Sequence, residues 1–134
     1  MGSQETPSVG QVEREVSQRV QALYRESLGH QPTKVTCQLF GTSVAIVIEN
    51  SVTPPEKLLA TEGQEELVRQ FREDLDDVMK PQVKQLIEKI LSVEVVDVMS
   101  DATLETGRTG IIAVLSEIPP VRNPLAIPKA KRHM

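Results

Sequence analysis

The chain predicts an α+β domain: an α-β-β-α-β-β two-layer sandwich whose four-stranded, mostly antiparallel sheet carries its helices on one face. Three observations predict it. Apolar residues recur at spacings of three and four over two long stretches, and each stretch is followed by a pair of short strand-like runs. Helix followed by hairpin therefore occurs twice, over residues 8–48 and 64–116, without clear identity between the halves. And 134 residues, 39% of them hydrophobic, suffice for one core without disulfide or metal staples. Packing two helices on one face of two joined hairpins is the economical way to bury these surfaces, and it leaves the strand order open.

The first helix spans residues 8–28. Val9, Val12, Val16, Val20 and Leu23 form its apolar stripe, Ser8 and Gln11 have capping-box spacing, and Gly29 stands where a left-handed terminator is wanted. Glu15 and Arg19 make a favourable pair on its exposed side. The period then changes to two: Val35, Cys37 and Leu39 alternate with Thr36 and Gln38, Gly41-Thr42 reverses the chain, and residues 44–48 are apolar on both faces, as an interior strand is.

The stretch SVTPPEKLL begins a short helix over residues 54–60. Thr53 is its N-cap, Pro54 its first residue, and Glu56 the reciprocal partner three positions on. Thr61 and Gln64 repeat that spacing ahead of a long helix to Leu91. There Leu67, Val68, Phe71, Leu75, Val78, Met79, Val83, Leu86, Ile87 and Ile90 read as one apolar stripe, kinked or split near Pro81. A second hairpin follows: residues 93–99, a polar loop over 100–109, and residues 110–116. The chain thus divides into one domain over residues 1–118 and an extended proline-rich tail over 119–134. In that tail Val121, Leu125 and Ile127 are apolar teeth for its own domain, a second copy or a partner.

Composition removes several classes of function. Tyr24, Phe40 and Phe71 are the only aromatics and the net charge is −4, so neither stacking platforms nor a positive field points to nucleic acid. The longest uncharged stretch, residues 35–48, is too short and too polar to cross a membrane, so no direct membrane insertion is expected. No basic-then-apolar leader opens the chain; Gly2 and Thr6 fit a loose myristoylation pattern that does not outweigh a cytoplasmic default. Cys37 lies in an apolar run and reads as an inert buried thiol. His30 reads as a turn residue beside Gly29, His133 lies far away in the tail, and no metal spacing, nucleotide loop or nucleophile elbow occurs. No cofactor is expected. The acidic group Glu73, Asp74, Asp76 and Asp77 winds around the helix and reads as a solvated surface.

Two places remain as candidates for binding. The 100–109 loop is longer than a hairpin requires and offers Ser100, Asp101, Thr103 and Arg108. Arg72, at the edge of the long stripe, can hold a carboxylate or an anion, or simply lay its stem on the core margin.

The order GHQPTKVTCQLFGTSVAIVIENSVTPPEKLLATEGQEELVRQFRED, then VVDVMSDATLETGRTGIIAVLSE, resembles the MpsC-like family of small bacterial domains over residues 9–118. The resemblance rests on Gly29 and Pro32, Gly41, Thr53 and Glu56, Gly63, Arg72 and Ser100-Asp101 in sequence; Asn50 and Ser51 depart from the small residues usual there. That family takes its name from a Na+-translocating, membrane-potential-generating system linked to inorganic carbon supply. The resemblance implies a soluble accessory of bicarbonate or CO2 uptake, or an assembly factor of microcompartments, without enzyme activity. The expectation is a non-enzymatic adaptor, possible as a homodimer, that binds another protein or a peptide segment by strand addition at a sheet edge. The alternative is a small-ligand or anion sensor using Arg72 and the 100–109 loop.

Overall fold

The computed structural model describes residues 6–129. Elements follow in the order α1 (Val9–Leu28), β1 (Lys34–Phe40), β2 (Ser43–Glu49), α2 (Pro54–Thr61), α3 (Glu65–Leu91), β3 (Val95–Thr103) and β4 (Arg108–Leu115), closed by a 3-10 turn at Pro124–Ala126. The result is the expected α+β sandwich. The strands form one antiparallel sheet in the order β1-β2-β4-β3, so the second strands of the two hairpins meet at its centre. Gly2 and His133 lie outside the described residues, as do the outermost parts of the 1–118 and 119–134 spans.

Alternation decides which face is buried. Cys37 and Leu39, then Val44, Ile46 and Ile48, then Ile111, Ala113 and Leu115 point to one side. There they meet Val12, Val16, Val20 and Tyr24 of α1 and Met79, Val83 and Ile87 of α3. Burial pushes the Cys37 thiol up to about 12, with Glu13 adding to the effect, so the thiol is protonated and inert. Ser8 and Gln11 make the capping box, and Gly29 ends α1 at φ 68°, its N–H donating to Arg25 O.

Four expectations are corrected. The long loop does not exist: β3 continues to Thr103 and β4 starts at Arg108, leaving a four-residue turn with Gly107 at φ 72°. Polar residues on an edge strand had hidden its period. Helix α3 runs unbroken through Pro81. Pro81 and Asp77, whose carbonyl loses its partner, both lie on the exposed side, while Met79 and Val83 hold the helix on the core. Gln64 makes no side-chain cap, and the Thr61 hydroxyl instead donates back to Leu58 O within α2. Finally, the described part of the tail is not extended throughout: it turns at Pro124–Ala126 and docks on its own domain. Val121 and Ile127 enter the core, Leu125 stands 73% exposed in the 3-10 turn, and Asn123 Oδ1 accepts from Val9 N at 2.9 Å at the start of α1.

Candidate functional site

The side chains that face the core along α3 are Val68, Arg72, Asp76, Met79, Val83, Ile87 and Leu91, at steps of three and four. Two charges therefore sit on an otherwise apolar face. Arg72 is 3% and Asp76 5% exposed, so neither the stem of Arg72 on the core margin nor a fully solvated acidic surface describes them. The glutamate that caps α2 meets them. Glu56 Oε1 accepts from Thr53 N at 2.9 Å, from the Thr53 hydroxyl at 2.9 Å and from Arg72 Nη1 at 3.1 Å; Oε2 accepts from the same Nη1 at 3.3 Å. Arg72 Nη2 donates to the Thr109 hydroxyl at 3.1 Å on β4. A directed chain can continue from Thr109 to the Ser51 hydroxyl, 2.7 Å away, and from Ser51 to Gly107 O at 3.2 Å.

Asp76 completes the cluster imperfectly. Its Oδ1 lies 3.6 Å from Arg72 Nε, an ion pair too long for a hydrogen bond, and both atoms lack a hydrogen-bond partner. Burial pushes the Asp76 carboxyl up from 3.8 to about 6; Arg72 opposes the rise, while Asp101, Glu56 and Asp77 add to it. Tyr24, on α1, is pushed up to about 12 by burial and then by Asp76, with Arg72 opposing. The cluster is a structural clamp. It joins α2, α3, β4 and the segment after β2, and it satisfies most of its polar atoms internally.

Beside this clamp lies a groove of about 850 Å³ between the end of α1, α2 and the first half of α3. Its walls include Leu28, Pro54, Pro55, Leu59, Leu67 and Phe71, and Glu56 and Val68 lie in its floor. Leu59, Leu67 and Phe71 are 40%, 56% and 53% exposed, and exposed Val78, two turns along α3 from Phe71, prolongs the apolar surface. The sequence reading missed this surface because it put ten apolar residues on one stripe. Val68, Met79, Val83 and Ile87 occupy one face; Leu67, Phe71 and Val78 occupy the next, which no element among the described residues covers. The signal was available in that excess width.

The predicted site residues separate. Arg72, Asp101 and Thr103 border one polar cleft of about 270 Å³ with Arg69, Glu73, Asp76 and Glu105, but the Arg72 guanidinium is directed to Glu56 and Thr109. Ser100 lines a narrow crevice with Tyr24 and Asp76. The Thr103 hydroxyl bonds that of Thr106. Arg108 lies on the outward face of the sheet, paired with Glu49 at 2.7 Å. Val121 and Ile127 are core, and Leu125 stands apart from the groove's lining. No group of histidine, cysteine or carboxylate side chains suited to hold a metal ion occurs among the described residues.

Comparison with known proteins returns one family. No curated protein and no solved structure matches the chain. A profile of the family described as Na+-translocating membrane potential-generating system (MpsC) matches residues 8–117, which takes in both helix-hairpin units, the clamp and the groove, and the chain belongs to that MpsC family.

Proposed function

We propose that this protein is a non-enzymatic accessory or adaptor, acting in the cytoplasm and as a homodimer, that holds a segment of another protein in the groove beside Glu56 and Arg72. The single observation that carries this reading is the row Leu59, Leu67 and Phe71, three large apolar side chains at least 40% exposed along one concave surface. The occupant that fits is an amphipathic helix with an apolar face flanked by lysine or arginine. Asp74 falls between Phe71 and Val78 on the same side of α3.

The family description names a Na+-translocating system, and no helix among the described residues is long and apolar enough to cross a membrane. Inorganic carbon uptake is the setting proposed for the accessory role, and the partner segment would belong to another component of that system. The anion-sensing alternative is weaker because its two arginines, Arg72 and Arg108, each already face a carboxylate.

A photo-crosslinking residue at Phe71, in cells, tests the reading against the same residue at exposed Gln85 on α3. The expected result is an adduct formed from position 71 and not from 85, whose peptide carries apolar residues at helical spacing with basic flanks. Equal adducts from both positions, or none from position 71, would sink it. Raising the salt concentration should lower the yield, as solvent-exposed charge pairs are screened.

A further inference from the structure

The helices cover one face of the sheet only, and the other face sets an apolar patch among polar and charged residues. Phe40, Val47 and Met99 on it are 37%, 42% and 47% exposed, with Ile112 and Val114 half-buried between them. We infer that this open sheet face is the surface on which two copies of the chain pair, about a two-fold axis that runs along the strands between β2 and β4. The inference locates the homodimer contact of the reading above and does not depend on the groove.

The register is what points to a second copy. Val47 on β2 lies directly beside Gly110 on β4, and Ala45 lies beside Ile112. A two-fold axis between those strands places the Val47 of each copy over the partner's Gly110, and each Ile112 over the partner's Ala45. Large thus meets small in both rows. Gly110 is a true dent: a Cβ built there meets nothing within 4 Å, and its backbone is not left-handed, so no turn requires a glycine.

Charge selects the same axis. Glu49 and Arg108 are neighbours at one end of the face, so the axis sets each Glu49 over the partner's Arg108 and turns two ion pairs into a four-membered ring. Lys34, in the row of Glu49 and Arg108, comes to lie over the partner's Thr103, one outward row from its Asp101, which the long lysine side chain reaches diagonally. A two-fold axis across the strands would instead press Arg108 onto Val114 without a carboxylate. Two sheets stacked this way would be aligned, as in a sandwich, with the helices and both grooves outside.

Sedimentation equilibrium of the full chain, on the order of 100 µM, decides the matter. The wild type should show twice the 14.8 kDa of one chain. Gly110→Leu, which has room in the monomer, should fold with an unchanged circular dichroism spectrum and sediment as a monomer. Asp101→Lys should weaken the dimer, and Lys34→Asp in the same chain should restore it. Phe71→Asp, in the groove, should leave the mass unchanged. A monomeric wild type, or a Gly110→Leu variant that dimerises normally, overturns the inference. So does a dimer lost on Phe71→Asp, which would place the contact in the groove. Should Gly110→Leu fail to fold, the Asp101→Lys loss and its rescue decide alone, and failure of the rescue refutes the axis.

Discussion

Glu56 shows how one residue can belong to two arguments. As the third residue of a helix after Thr53 it is a cap partner, which local spacing explains; as a carboxylate 3.1 Å from Arg72 it is half of a buried ion pair, which local spacing cannot show. Asp76 makes the cluster one negative charge too rich when all three groups are ionised, and its pKa is raised chiefly by burial, with the neighbouring carboxylates adding to the rise. A carboxyl bound more tightly to its proton in the folded state than in the unfolded chain adds stability that is full below about pH 4 and is lost as pH rises through about 6. Asp76→Asn cannot titrate. Its stability should therefore rise relative to that of the wild type between pH 4 and pH 7, by at most about 3 kcal/mol over the range. The measurement is urea unfolding at successive pH values. Parallel curves for the two proteins would show that Asp76 keeps an ordinary pKa.

Helix α2 is eight residues long and buries only Glu56, so propensity and packing alone cannot hold it. The cap and the Arg72 clamp do. Thr53→Ala removes a hydroxyl that accepts from Glu56 N at 3.4 Å and donates to the buried Glu56 carboxylate at 2.9 Å. It should cost about 0.5–2 kcal/mol, read from the urea midpoint, while adduct formation from Phe71 persists in the folded fraction. Loss of the adduct at an unchanged midpoint would make Thr53 a contact residue rather than a cap. The strands carry a different lesson. Glu13 of α1 accepts from Leu39 N at 2.8 Å, and Glu88 of α3 accepts from Val95 N at 3.0 Å, so each helix plants a carboxylate on the edge strand beneath it. Each carboxylate occupies one backbone donor of its edge strand, which favours the groove over the edges as the proposed docking place.

At the scale of the whole molecule, the tail is part of the fold. Removal of residues 119–134 takes Val121 and Ile127 from the core and Asn123 from the start of α1. At roughly 1.5–3 kcal/mol per buried aliphatic side chain, the truncated chain should lose about 3–6 kcal/mol; an unchanged guanidinium midpoint would mean the tail is not docked in solution. Pattern in the sequence was enough for both helix-hairpin units, the caps at Ser8 and Thr53, the interior position of β2 and the family, because each depends on neighbours within a few residues or on order along the chain. Three things were decided only by tertiary structure. Which of two adjacent apolar stripes on α3 faces the core depends on where α1 and the sheet lie, so Arg72 and Asp76 went inside while Leu67 and Phe71 stayed out. The partners of Arg72 come from positions 56 and 109, and no local spacing joins them. The open face of the sheet acquires its size-matched rows only once β2 and β4 lie side by side, since Val47 and Gly110 are far apart in sequence and adjacent only in register. Local hydrogen bonding and periodicity are written along the chain; which surfaces remain uncovered is settled by what the rest of the chain happens to cover.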